Sequence, residues 1–187
     1  MTRASSPIVD VLIQTSGWTR ELASAAMVCR RAARTAWAHG APTRLKRRAA
    51  TSELSILLTG DRAIRGLNRT YRGQDKATNV LSFPAGDDTA PGKARARIRE
   101  LILGDVVVAY GTVAREARQA GKSLKDHLSH MVVHGVLHLL GYDHETAPDA
   151  ETMERLEIKI LSQLGVDDPY ARLAATPTPV RGARRQT

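Results

Sequence analysis

The sequence predicts an α+β fold in which a single small mixed β-sheet is packed with about five helices. Three observations carry this. The elements read in the order strand, helix, strand, helix, two strands and then helices, the pattern of one sheet with helices laid against it. With 187 residues, 42% of them hydrophobic, the chain can bury a core without covalent staples. Aromatic residues make up only 4%, so that core is aliphatic and any RNA binding rests on phosphate and backbone contacts more than on rows of stacked rings.

The segment IVDVLI, Ile8 to Ile13, reads as the first strand and is broken at Ser16 to Trp18. A helix follows over Thr19 to His39, with Leu22, Ala26, Cys29 and Ala33 at helical spacing and Gly40 and Pro42 at its end. The basic run Arg44 to Arg48 is then a loop. Glu53 to Leu58 reads as the second strand, and Asp61 as the cap of a helix through Ile64, Leu67 and Tyr71. Asn79 to Phe83 is a short apolar strand stopped by Pro84, and the polar stretch Asp87 to Arg97, with Pro91 and Gly92, is an exposed loop. Glu100 to Val108 holds the strand LILGDVVV, and Ala109 to Ala120 is a helix as far as Gly121.

Ser123 caps the next helix, whose apolar positions Leu124, Leu128, Met131, Val132, Leu137 and Leu140 recur at helical spacing until Gly141. After a turn over Tyr142 to Ala147, Pro148 opens a last helix through Met153, Leu156, Ile160 and Leu164, and Gly165 ends it. From Asp167 onward no periodicity remains. Residues 1–170 are therefore read as one domain and 171–187 as a basic, disordered tail.

The charge balance is 28 Lys and Arg against 19 Asp and Glu, a net +9. Basic clusters at Arg44 to Arg48, at Arg62, Arg65, Arg69 and Arg72, and at Lys93 to Arg99 point together to a polyanion partner. A single cysteine, Cys29, excludes an internal disulfide and any multi-cysteine metal site; it reads as a small buried hydrophobe. No run approaches the roughly 18 apolar residues of a membrane span, and Met1 to Pro7 lacks the apolar core of a secretory signal. The expectation is a reducing, cytoplasmic location without membrane association.

The chemistry concentrates in HGVLHLLGYDH, where His134, His138 and His144 form HxxxHxxxxxH. Residues four apart on a helix differ by about 40° and 6 Å of rise, so His134 and His138 can grip one ion from one face. Gly141 allows a sharp turn that returns His144 to the same ion, which puts a metal site at the end of a His-bearing helix. Three imidazoles suit zinc and leave a fourth tetrahedral position open, the arrangement of a catalytic site; a structural site needs a fourth protein ligand, for which Asp143 is nearest. His127 and His130 share the broad helix face, and either could be a ligand instead; they are read as neighbours that orient the ligands or line the rim. Position 135 is Gly, where the HExxH metalloproteases carry their Glu base, which argues against peptide hydrolysis. Glycine there also permits close approach of another backbone or of substrate.

These residues resemble the YbeY endoribonucleases, bacterial rRNA maturation factors. The resemblance rests on HGVLHLLGYDH at 134–144, LNRTYRGQDKATNVLSFP at 67–84, LGDVVV at 103–108 and GVDDPY at 165–170, and it runs from about the second strand to Tyr170. It implies a metal-dependent, single-strand-specific endoribonuclease of small-subunit rRNA 3′-end processing and ribosome quality control, partnered by single-stranded RNA, ribosomal RNA and the small ribosomal subunit and not by DNA. It further implies one Zn2+ per chain on His134, His138 and His144, and a functional arginine at Arg72. Ala77 departs from the family's usual Pro, which bears on the stiffness of its loop.

A zinc ion would supply a Lewis acid and lower the pKa of water to about 7, and an arginine adds bidentate phosphate recognition. Catalysis is accordingly expected at His134 and Arg72. Asp143 or Glu145 could act as general base or orient a ligand, and equally could be turn and cap residues. Asn79, Ser82 and Phe83 are expected to position the site without taking part in the chemistry. The alternatives are an RNA- or ribosome-binding assembly factor with a structural metal, and a metallohydrolase of another substrate.

Overall fold

The structure is a computed structural model that describes residues 6–86 and 98–171. The expected loop at Asp87 to Arg97 and the tail beyond Ala171 lie outside the described residues. In chain order the elements are β1 (Ile8–Ile13), α1 (Ser16–Glu21), α2 (Ala25–Gly40), α3 (Thr43–Arg48), β2 (Ala49–Thr59), α4 (Asp61–Arg72), β3 (Val80–Pro84), β4 (Ile98–Ala109), α5 (Tyr110–Ala120), α6 (Leu124–Leu139) and α7 (Ala147–Leu164).

The strands form one mixed sheet in the order β1-β2-β4-β3, with β1, β2 and β4 parallel and β3 antiparallel to β4. Parallel pairing demands a crossover, which α1 to α3 provide between β1 and β2. Pro84 is tolerated because β3 is an edge strand, where a missing N–H costs no ladder bond. Alternation along β4 sends Val106 and Val108 to one face and Val107 to the other. The first face carries the main core, with α2 and α6 on the sheet and α7 against both; the second, with Ile64, Leu81, Val107 and Ala109, lies under α4.

The architecture is the α+β arrangement read from the sequence, with differences in three places. The helix expected over Thr19 to His39 is two. Trp18 is fully buried, donates from Nε1 to the carbonyl of Thr59 at 3.2 Å and stands edge-on to Tyr110. Leu22 then leaves helical geometry, so that α2 can lay Val28, Cys29, Ala32 and Ala36 against the core along its own axis. The basic run Arg44 to Arg48 is helical rather than a loop, because buried Leu45 anchors it and the carbonyl of Pro42 accepts from Leu45 and Lys46. Asp61 does not cap α4. Gly60 holds that position, and the Asp61 carboxylate instead accepts the N–H of Thr112 in the first turn of α5. Beyond α7, residues 167–170 return to the domain. The Tyr170 hydroxyl donates to Glu157, and Lys122 donates to the carbonyl of Pro169 at 3.0 Å.

Candidate active site

Helix α6 starts where Ser123 accepts the N–H of Asp126, and it runs through the core with His127, His130, His134 and His138 along one flank. Its end builds the site. Gly141, at φ +88°, donates to the carbonyl of His138, and the N–H of Tyr142 reaches back to the carbonyl of Leu137, the paired bonds of a Schellman turn. The turn folds the chain back so that His144 joins the two helical histidines. One nitrogen from each of His134, His138 and His144 lies within 4.8 Å of the others, a grouping that could hold a metal ion. Nε2 of His134 and Nε2 of His138 are 3.1 Å apart.

The protonation pattern suits that use. Nδ1 of His134 lies 2.8 Å from Oε1 of Glu157, so the imidazole donates there and turns the lone pair of Nε2 toward its two partners. Burial, reinforced by the neighbouring His134 and His144, lowers the pKa of His138 to about 4, which keeps it neutral and able to ligate. Three imidazoles that would leave a coordination position free fit a borderline cation such as zinc. Among the described residues no cysteine or carboxylate joins the group, and Asp143 instead accepts the N–H of His144.

Beneath the site, Glu157 of α7 is fully buried. Burial alone would raise its pKa, yet the hydrogen bond from His134 and the nearby imidazole of His130 bring it down to about 2. His130 stands 3.6 Å from Oε2 of Glu157, which the Tyr170 hydroxyl also reaches, and burial with that bond pushes the Tyr170 phenol up. His127 pairs with Glu116 at 2.9 Å, and Asn79 donates to the same carboxylate. The two additional histidines thus sit away from the triad, each beside a carboxylate.

Gly135 explains the missing Glu of HExxH. A Cβ at that position would lie 2.6 Å from Cγ1 of Val106, so α6 packs directly on β4 and no larger residue fits. The hydroxyl of Ser82 on β3 donates to the carbonyl of Gly135 at 3.1 Å and pins the edge strand to the helix. It is protein, not substrate, that makes the close approach.

Arg72, the last residue of α4, lines the same cleft as the three histidines, together with Asp143 and Glu145. It is exposed and has no carboxylate partner among the described residues. The loop that follows is braced from below. Asn68, buried, donates to the carbonyl of Lys76 at 2.8 Å, and Arg65 grips Asp75 through two bonds of 2.8 and 2.7 Å. Ala77 packs on the smaller core cluster, so the loop is held without the proline that usually stands there.

Residues 24–165 match the family model described as Endoribonuclease YbeY. An Endoribonuclease YbeY from Rhodopseudomonas palustris (strain HaA2) is 46% identical over 91% of this chain and 85% of its own length. Another from Methylocella silvestris is 41% identical over 94% of this chain and 95% of its own. The chain belongs to the YbeY endoribonuclease family. The solution structure of a Thermotoga maritima protein shares the fold, with a TM-score of 0.52 at 21% identity over 95% of this chain and 100% of that one.

Membership extends further toward the N-terminus than the motifs alone reach, taking in all of α2. Within this YbeY chain the expected residues His134, His138, His144 and Arg72 do share one cleft. Sequence reasoning overlooked Glu157. A signal existed: Glu157 is four residues after Met153 and three before Ile160, a charge on the buried stripe of α7. It also overlooked Tyr142, whose hydroxyl donates to the carbonyl of Gly40 and ties the cleft wall to α2.

Proposed function

We propose that the chain is a zinc-dependent, single-strand-specific endoribonuclease that matures small-subunit ribosomal RNA at its 3′ end and serves ribosome quality control in the cytoplasm. The observation that carries this is the convergence of three imidazoles within 4.8 Å, in a cleft that also holds Arg72. His134, His138 and His144 would hold one zinc ion. When bound, such an ion supplies Lewis acidity toward a phosphoryl oxygen and brings the pKa of water to about 7.

The chain's own residues do the rest. Glu157 fixes the tautomer of His134, and Tyr142 holds the wall behind the triad. Arg72, without a carboxylate partner among the described residues, offers two parallel N–H donors to a scissile phosphate and stabilises charge that develops on it. Asp143 and Glu145, both exposed on the cleft, stand where a proton can be taken up. Residues 1–170 form the catalytic domain and 171–187 a basic extension. Membership in the YbeY family supports RNA as substrate, and ribosomal RNA and the small subunit as its context.

The test is cleavage of a labelled single strand and its duplex by wild type, His138→Ala and Arg72→Ala, with metal content measured on the same samples. The expected result is one zinc per wild-type chain, cleavage of the single strand alone, loss of metal and activity in His138→Ala, and loss of activity with metal retained in Arg72→Ala. Equal cleavage by all three, or none by metal-loaded wild type, would overturn the reading and leave a binding factor with a structural metal.

A further inference from the structure

Between Glu21 and Glu53 the chain carries no Asp or Glu but seven Lys or Arg residues, from Arg30 to Arg48. This acid-free stretch folds as α2 and α3, so its charge is gathered into one band. Arg31 and Arg34 are exposed on the outward stripe of α2, beside Met27. Arg44 and Arg47 are exposed on α3, and Lys46 donates to the carbonyl of Ala38 at 2.7 Å, closing α3 onto the end of α2.

The four arginines resemble Arg72 and differ from four others on the surface. Arg65, Arg115, Arg118 and Arg155 each stand within ion-pair distance of a carboxylate. Among the described residues Arg31, Arg34, Arg44 and Arg47 have none. Unpaired guanidinium groups along an acid-free band keep their full charge available to an external anion.

The end of α2 is tied to the cleft wall. Tyr142 lines the cleft and donates to the carbonyl of Gly40 at 3.0 Å, and Gly40 is the last residue of α2. Arg44 follows four residues on, so its Cα is within about 15 Å of that of Gly40. From Arg31 to Gly40 the helix covers about 14 Å more. Tyr142 thus joins the cleft that holds Arg72 to the end of α2, and Arg44 and Arg47 follow on α3 within reach of a strand that leaves the cleft over that wall.

We propose that the α2–α3 face is a second RNA-binding surface, where Arg31, Arg34, Arg44 and Arg47 hold the backbone phosphates of a single strand engaged at the histidine cleft. This rests on the nuclease reading of the cleft. The interaction is independent of base identity, since the band offers charge and no aromatic platform. RNA is favoured over an acidic protein because Tyr142 ties the end of α2 to the wall of the cleft in which the strand is cut, and because apart from Met27 the band offers no exposed large hydrophobic residue for a protein interface.

The test compares labelled oligouridines of about 20 and about four nucleotides with wild type, Arg31→Ala/Arg34→Ala, Arg44→Ala/Arg47→Ala, and the control Arg118→Ala/Arg155→Ala, which removes the same charge from arginines that are already paired. Each band variant is expected to bind the long oligomer about tenfold more weakly, with the log–log salt slope smaller by about 0.7 for each phosphate that is no longer neutralised. Its KM for the long substrate rises in proportion while kcat holds, and cleavage of the short oligomer is unchanged. Unaltered affinity and slope in both band variants, or equal weakening in the control, would overturn the proposal. Loss of poly-glutamate binding with RNA binding intact would also overturn it and assign the face to an acidic protein. If wild type neither binds nor cuts either RNA, the nuclease reading itself falls and takes this one with it, an outcome the wild-type lane distinguishes.

Discussion

Oε1 of Glu157 stands 2.8 Å from Nδ1 of His134, and the carboxylate that makes this bond is fully buried. It joins α7 to α6 directly beneath the cleft. A buried charge is expensive unless it is paired, and Glu157 is offered His134, His130 and the Tyr170 hydroxyl as partners. The arrangement fixes which nitrogen of His134 faces the cleft.

Removing only the charge should therefore weaken metal binding more than folding. Glu157→Gln keeps an acceptor for His134, and its affinity for Zn2+, measured by competition with a chromogenic chelator on the apoprotein, should fall about 10- to 100-fold. Its melting temperature should fall less than that of Glu157→Ala, which leaves buried donors unsatisfied at a cost of about 1–3 kcal/mol. Unchanged zinc affinity in Glu157→Gln would show that the carboxylate serves packing alone.

Legibility in the sequence followed the range of the interaction. The turn at Gly141 and the meeting of His134, His138 and His144 depend on residues within one helix and its cap, and spacing was enough to foresee them. The alternation of β4 and the apolar stripe of α6 were equally local. What spacing could not supply was partnership across elements: Asp61 serving α5 instead of its own helix, Trp18 bending the chain to reach Thr59, Glu157 reaching His134. Each depends on a tertiary contact, and the first two override a reading that local propensity favoured. Arg72 is intermediate, since a family motif marked it while nothing in its own spacing led to the cleft.

Gly135 is required by packing, and the cost of changing it can be stated. Gly135→Ala places a methyl 2.6 Å from Val106 and 3.1 Å from Ser82 Oγ, which forces α6 off the sheet at the base of the site. Overpacking of this kind costs about 1–3 kcal/mol. Denaturant unfolding should show that loss, and Gly135→Glu should fail to fold instead of gaining peptidase activity. A Gly135→Ala variant as stable as wild type would mean that α6 and β4 can separate without penalty.

Cys29 should be chemically silent in the native protein. It is fully buried on α2, and burial pushes its thiol up to about 12, so almost no thiolate exists near neutral pH. Ellman's reagent at pH 8 should react with it only after denaturant is added, at a rate that tracks global unfolding. Prompt reaction without denaturant would mean that α2 opens locally from the core.

Asp75 supplies a pH-dependent brace for the loop that follows Arg72. The hydrogen bonds from Arg65 hold the Asp75 carboxyl below its ordinary value of 3.8. A carboxyl depressed in the folded state binds fewer protons there than in the unfolded chain, so its stabilisation is complete above about pH 4 and is lost as the pH falls through the folded value. Asp75→Asn should therefore melt below wild type at pH 7, and the gap should close in acid once the wild-type carboxylate is itself protonated. Both partners are exposed, so the gap should also narrow with added salt. A difference in melting temperature that stays constant from pH 7 to well below the ordinary carboxyl value of 3.8 would assign the effect to the shape of the side chain and not to its charge.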